Sequence, residues 1–234
     1  MYSKTRRIFG YEALLRLNDR DGNSIPPDAF IPLAEKMGLI EEIGTWVLYA
    51  ATRQIAGMNA NDVIAINLSP EQFKSGKLVG IVKDALLQAD LAPSRLELEI
   101  TESPLLDDQA EVAFQIAALK DMGVYIAMDD FGTGFSSLSY LWKFGFDRIK
   151  IDRSFINALE EDPERSLGLV ESIVLLRKKL VMEITAEGVE TQTQSAILSS
   201  LGCDVLQGFY FGRPEPLSLP APDPKDRASF PKVG

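Results

Sequence analysis

The sequence contains no histidine, and this absence excludes several common kinds of active site. A Ser-His-Asp or Cys-His nucleophile system cannot form without histidine, and neither can a histidine-ligated zinc site. Phosphodiesterases that hold their metals with His-Asp pairs are excluded for the same reason. Proton transfer must therefore depend on carboxylates, on lysine or on metal-activated water.

Cysteine, long apolar runs and positive charge are also scarce. The only cysteine, Cys203, cannot form an internal disulfide, which predicts a reducing, cytoplasmic compartment. No apolar run approaches the length of a membrane span, and the basic segment Met1–Ile8 lacks the apolar core of a signal peptide. The 24 basic residues are outnumbered by 34 acidic ones, so the net charge of −10 disfavours DNA binding. A small anionic ligand remains compatible with this charge if divalent cations are bound.

The 234 residues, 46% of them hydrophobic, are sufficient for one large α/β domain. Strand-like and helix-like runs alternate, which predicts a parallel sheet with crossover helices. The predicted strands are Ile8–Leu17, Val63–Ile66, Leu96–Ile100, Val124–Met128, Arg148–Ile151, Val181–Ala186 and Asp204–Gln207. The predicted helices are Asp28–Gly38, Ile40–Met58, Lys77–Gln88, Asp107–Met122, Asp162–Lys179 and Thr191–Leu201. This count gives about seven strands, whereas a closed βα barrel has eight.

Carboxylates occur repeatedly within or just after these predicted strands. The acids are Glu12, Glu99, Asp129, Asp130, Asp152 and Glu187, and the strand Val63–Ile66 ends at Asn67. In a barrel of parallel strands the carboxyl ends of the strands meet at one face, where chemistry is placed. Carboxylates and an asparagine without histidine suit a hard cation such as Mg²⁺ or Mn²⁺.

Each of these residues also has an ordinary structural interpretation. Glu12 could form a salt bridge with a nearby arginine, and Asn67 could cap the following helix. Lys150 and Asp152 lie on the same face of a strand and could form a structural ion pair. The adjacent pair Asp129-Asp130 is the strongest local signal, because neighbouring carboxylates repel unless a cation lies between them.

Together, these motifs resemble the EAL domain, a bacterial family of cyclic di-GMP phosphodiesterases named for its Glu-Ala-Leu signature. The resemblance covers roughly Ile8 to Pro214. It is carried by Glu12-Ala13-Leu14-Leu15-Arg16, Asn67-Leu68-Ser69, Glu99-Ile100-Thr101-Glu102, Asp129-Asp130-Phe131-Gly132-Thr133-Gly134, Lys150-Ile151-Asp152, Glu187-Gly188-Val189-Glu190 and Gln207-Gly208.

The resemblance implies a TIM-like (β/α)8 barrel in which the first strand runs antiparallel to the others. In the family that strand precedes the Glu-Ala-Leu strand and usually carries a Tyr-Gln-Pro motif, which this sequence lacks. We therefore expect an N-terminally incomplete EAL domain over residues 1–214, followed by a proline-rich tail over residues 215–234.

The resemblance also assigns roles to individual residues. One metal ion would be held by Glu12, Asn67, Glu99 and Asp129, and a second by Asp129, Asp130 and Glu187. Lys150 would act on the attacking water with support from Asp152, and Arg16 and Gln207 would contact the substrate. Glu102 would anchor the glycine-bearing loop after Asp130, which in the family couples metal binding to a dimer interface.

The implied function is hydrolysis of cyclic di-GMP to linear pGpG with two Mg²⁺ or Mn²⁺ ions. One alternative is a catalytically silent receptor that binds cyclic di-GMP, although such domains usually lose one or more of the acids. A second is a Mg²⁺ barrel enzyme that abstracts a proton beside a carboxylate with Lys150 as the base. The resemblance further suggests a homodimer, and an upstream sensory or GGDEF domain in a larger, membrane-bound protein.

Overall fold

A computed structural model describes residues 1–101, 109–133 and 138–216. Seven strands form one sheet in which neighbouring strands are parallel. In sheet order they are β1 (Gly10–Ala13), β4 (Val63–Leu68), β5 (Leu96–Ile100), β6 (Tyr125–Phe131), β7 (Arg148–Ile151), β8 (Glu183–Ala186) and β9 (Val205–Leu206). A separate short hairpin pairs β2 (Leu17–Asn18) with β3 (Ser24–Ile25).

Helices connect the strands and pack against the sheet. In chain order they are α1 (Pro27–Lys36), α2 (Ile40–Ala56), α3 (Glu71–Lys74), α4 (Leu78–Ala89), α5 (Gln109–Asp121), α6 (Leu138–Phe144), α7 (Arg153–Glu161), α8 (Pro163–Leu180) and α9 (Gln192–Leu201). Within the described residues, no helix has both the length and the apolar character needed to cross a bilayer.

The predicted strand–helix alternation is confirmed, and all seven predicted strand regions contribute to the sheet. The central strands are buried along almost their whole length, as expected for a parallel sheet covered by helices. Three helices were missed: α3, α6 and α7. Each has fewer than ten residues, which is too few for apolar periodicity to distinguish a helix from a loop.

The two edges of the sheet, β1 and β9, are not joined by strand pairing within the described residues. Instead, the first residues of the chain run antiparallel along β9. Tyr2 forms an antiparallel bridge with Val205, and the Leu206 N–H donates to the Met1 carbonyl at 2.8 Å. The chain segment beside the last strand therefore has the antiparallel direction expected for the first strand of the family barrel.

A buried arginine fills the amino end of the barrel. Arg148, the first residue of β7, is 2% exposed, and its Nε lies 2.8 Å from Glu97 Oε2. Its Nη2 lies 2.8 Å from Glu183 Oε2, and its guanidinium carbon is 4.3 Å from the centre of the Phe9 ring. This packed ion pair occupies the end of the barrel opposite to the acidic side chains described next.

Candidate active site

The carboxyl ends of the strands bring most of the predicted site residues together. Glu12 lies on β1, Asn67 on β4, Glu99 on β5, Asp129 and Asp130 on β6, and Lys150 on β7, while Glu187 directly follows β8 and Gln207 directly follows β9. Glu12 and Gln207, which are 195 positions apart in the chain, thereby come into contact.

Lys150 lies at the centre of this group, and its side chain is almost completely buried. Its Nζ is 2.6 Å from Glu187 Oε1, 2.7 Å from Glu99 Oε2 and 3.2 Å from Asp129 Oδ1. One ammonium group therefore contacts carboxylates that are contributed by three different strand ends.

Glu12 is held by two side-chain amides. Asn67 Nδ2 donates to Glu12 Oε1 at 2.7 Å, and Gln207 Nε2 donates to Glu12 Oε2 at 2.6 Å. Because Glu12 lies on one edge strand and Gln207 follows the other, this second bond crosses the gap between the edges of the sheet. The capping interpretation of Asn67 is wrong, because α3 begins after Pro70 without a side-chain cap.

A bulge at the end of β6 turns two consecutive carboxylates toward the site. Successive side chains of a regular strand point to opposite faces, but the register shifts between Met128 and Phe131, and Asp130 adopts a left-handed φ of 52°. Gly132 follows with φ 98°, and a Cβ there would lie 2.8 Å from the Phe155 ring. The glycine therefore allows the loop to rest directly on α7.

Burial and mutual repulsion make this acidic group expensive to ionise. Burial raises the pKa of Glu99 well above its usual value, and repulsion from Glu12 and Asp129 adds to that effect. Burial also raises the pKa of Glu187 to about 7, despite the attraction of Lys150. Burial lowers the pKa of Lys150, but its carboxylate neighbours outweigh burial and raise that pKa overall, so the ammonium form is retained.

The donor set fits divalent cations. Asp129, Asp130 and Glu187 each offer an oxygen, and these oxygens lie within 4.8 Å of one another. Glu99 Oε2 is buried and, apart from its contact with Lys150, makes no well-aligned hydrogen bond with the described residues. Oxygen ligands of this kind are preferred by Mg²⁺ and Mn²⁺.

Comparisons with known proteins agree with this geometry. The sequence model of the EAL domain matches residues 1–214. The chain belongs to the EAL domain family.

Two relatives illustrate the match. The bifunctional diguanylate cyclase/cyclic di-GMP phosphodiesterase MucR of Pseudomonas aeruginosa is 47% identical over 213 residues, which are 89% of this chain and 31% of MucR. The structure of the MucR phosphodiesterase in complex with cyclic di-GMP superposes with a TM-score of 0.84 at 46% identity, covering 90% of this chain and 87% of that one. The structure of a manganese and cyclic di-GMP complex of BlrP1 from Klebsiella pneumoniae superposes with a TM-score of 0.77 at 29% identity. The match covers 91% of this chain and 53% of that one.

This EAL domain thus spans less than a third of the length of MucR. Its sheet is the parallel, curled sheet of the EAL barrel, which confirms the predicted fold class. The activity and partners of any whole protein that contains this chain are matters for proposal.

Three predicted site residues of the EAL domain have other contacts or lie outside the described range. Asp152 caps α7, since its carboxylate accepts from the Ser154 N–H at 3.0 Å, and the ion pairs of Lys150 involve other acids. Arg16 is exposed, and its Nη1 donates to the Leu15 carbonyl at 3.0 Å. Glu102 lies outside the described residues.

One acidic group beside the site was not predicted from the sequence. Glu35, on α1, accepts a hydrogen bond from Ser69 Oγ at 2.7 Å, two residues beyond Asn67 in the chain. Glu35 lies inside a predicted helix, where a glutamate is common, and no local pattern distinguishes it. The contact between Phe155 and the Asp130 loop was also missed, although Gly132 was a usable signal for a close approach.

Proposed function

We propose that this chain hydrolyses cyclic di-GMP to linear pGpG with two divalent metal ions, Mg²⁺ or Mn²⁺. The observation that carries the proposal is the convergence of Glu99, Asp129 and Glu187 on Lys150, with Glu12 beside them at the same face of the barrel. The complete acid set in an EAL domain, together with the phosphodiesterase activity named for MucR, supports catalysis by this chain.

The proposed metal ligands divide into two overlapping groups. The first group is Glu12, Asn67, Glu99 and Asp129, and the second is Asp129, Asp130 and Glu187. When bound, the ions would supply Lewis acidity that lowers the pKa of water and offsets negative charge at phosphorus. The Asn67 amide now donates to Glu12, so it would have to rotate to offer its oxygen as a ligand.

The remaining residues would position the reactants. Lys150 Nζ lies among the carboxylates and could orient a water molecule for attack on phosphorus. Asp152 begins the helix that supports the Asp130 loop, so its contribution would be to position that loop. Arg16 is exposed beyond β1 and could reach a phosphate, while Gln207 could contact the substrate beside Glu12.

The experiment that tests the proposal is hydrolysis of cyclic di-GMP with Mg²⁺ or Mn²⁺, with pGpG detected by chromatography. Binding of cyclic di-GMP is measured in parallel in the presence of Ca²⁺. The variant Glu99→Gln serves as a control, because it removes one negative charge with little change in side-chain shape. We expect turnover by the native chain and at least about a hundredfold less by the variant. Binding without turnover would favour the receptor alternative, and absence of both would contradict the assignment.

We further propose that two copies of the chain pair through α5 and α6. Phe114 and Trp142 are 70% and 79% exposed on these helices, and the groove between the helices is lined by both apolar and charged residues. Large exposed aromatic side chains of this kind are typical of interaction surfaces. Lys143 and Asp121 at the groove provide opposite charges, which suit self-association about a twofold axis.

The wider context of the chain is also a proposal. MucR is a diguanylate cyclase as well as a phosphodiesterase, which supports an upstream GGDEF or sensory domain in a protein that contains this chain. A cytoplasmic location and the proline-rich tail over residues 215–234 stay predictions from the sequence.

A further inference from the structure

Lys150 makes ionic contacts with three different carboxylates. Its ammonium group lies within 3.2 Å of one oxygen each from Glu99, Asp129 and Glu187. The Lys150 side chain is 2% exposed, so water can do little to solvate its charge. These three carboxylates all belong to the proposed metal ligands.

Glu99 and Asp129 are buried and Glu187 is partly buried, so these carboxylates require a positive charge nearby, because an unpaired buried carboxylate is very costly. In this structure Lys150 supplies that charge to carboxylates that are also proposed to hold a metal ion. Glu187 Oε1 and Glu99 Oε2 are already in direct contact with Nζ, at 2.6 and 2.7 Å. A cation bound to these oxygens would be repelled by the ammonium group at close range.

We propose that Lys150 is an internal counter-ion that competes with the divalent metals for Glu99, Asp129 and Glu187. In the metal-free protein Lys150 stabilises the acidic group, and metal binding requires its ammonium to withdraw from some of these oxygens. Lys150 thereby lowers the intrinsic metal affinity of the site. This inference rests on the metal assignment of the proposed function, and it adds a role for Lys150 besides its action on water.

The proposal predicts opposite effects of one substitution on metal binding and on metal-free stability. Lys150→Met removes the charge but keeps much of the apolar side chain. We expect Mn²⁺ to bind at least about tenfold more tightly to this variant, because the competing charge is gone. We also expect a lower unfolding temperature without metal, and a larger rise in that temperature when Mn²⁺ is added.

Two further variants serve as controls. Lys150→Arg keeps a positive charge and should retain weak, native-like Mn²⁺ affinity. Arg148→Met removes a buried cation two residues earlier on the same strand, where the partners are Glu97 and Glu183. This control should lose stability, but its Mn²⁺ affinity should stay within a few-fold of the native value.

Free Mn²⁺ is measured by electron paramagnetic resonance in titrations without nucleotide, on the full chain. Native or weaker affinity in folded Lys150→Met would overturn the inference. If that variant does not fold without metal, Lys150→Gln, which keeps a hydrogen-bond donor, is subjected to the same test. Absence of Mn²⁺ binding by every variant would overturn the metal assignment together with the inference. Tighter binding by the variant without cyclic di-GMP hydrolysis by the native chain would support the inference and contradict only the proposed function.

Discussion

Glu12 accepts hydrogen bonds from Asn67 and Gln207, and it is only partly buried. Because Glu12 is a proposed metal ligand, Glu12→Ala should lose at least about two orders of magnitude in cyclic di-GMP turnover. The protein should stay folded, because the side chain is only partly buried. Turnover is measured with Mg²⁺ or Mn²⁺, and folding is followed by circular dichroism. Glu42→Ala, at an exposed position on α2, is the matched control and should keep native turnover. Near-native turnover in Glu12→Ala would show that Glu12 is not a required metal ligand.

The convergence of the acidic residues on one face could be predicted from the sequence, but their individual contacts could not. Glu99 and Glu187 each lie at or just beyond a recognisable strand, so the parallel topology alone brings them to one face. The bond between Gln207 and Glu12 depends instead on how far the sheet curls before its two edges meet. The capping role of Asp152 was likewise not predicted, because the short helix α7 was itself missed.

Cys203 is buried, and burial raises the pKa of its thiol to about 12. The thiol stays neutral in the folded chain up to that pH, whereas in the unfolded chain it ionises near pH 9. Between these two pH values the folded state holds the thiol proton while the unfolded state has lost it. The free energy of unfolding therefore falls as pH rises from about 9 to about 12. We expect a thiol reagent at pH 8 to label Cys203 only through unfolding, and therefore faster in low denaturant. Rapid labelling of the native chain would contradict the burial.

At the scale of elements, α8 ends in an unfavourable conformation. Val181 is its C-cap with φ 58° and is 90% exposed, so a β-branched residue adopts a left-handed conformation without burial to offset the strain. Val181→Gly should stabilise the chain by about 0.5–1 kcal/mol, measured by urea unfolding. The opposite change, Gly202→Ala at the left-handed C-cap of α9, should destabilise it by a similar amount. A loss of stability in Val181→Gly would show that the valine makes a favourable contact.

Val181 also shows why some element boundaries could not be predicted. The apolar run Val181–Ala186 favours a strand along its whole length, and the β-branched valine strengthens that prediction. The strand begins only at Glu183, because α8 extends to Leu180 and the chain must first turn through the left-handed position. The bulge in β6 has a similar cause, since strand pairing rather than local sequence determines where the register shifts.

At the scale of the whole molecule, the number and direction of the strands could be predicted, but the closure of the barrel could not. The alternation of runs indicated seven strands, and the sheet contains seven. The antiparallel pairing of Met1–Ser3 with β9 involves too few residues to leave a recognisable pattern. That pairing depends on the last strand, roughly two hundred residues away in the chain.

The proposed homodimer depends on a surface that the active site does not use. Trp142→Glu places a charge in the exposed aromatic surface between α5 and α6, so the variant should be monomeric, whereas the native chain should have twice the monomer mass. Sedimentation velocity measures both masses at the same concentration. Trp46→Glu is the matched control, because Trp46 is half exposed on α2, outside this groove, and should leave the dimer intact. A dimer that persists in Trp142→Glu would exclude this surface, because a buried, unpaired glutamate at a dimer interface would be strongly destabilising.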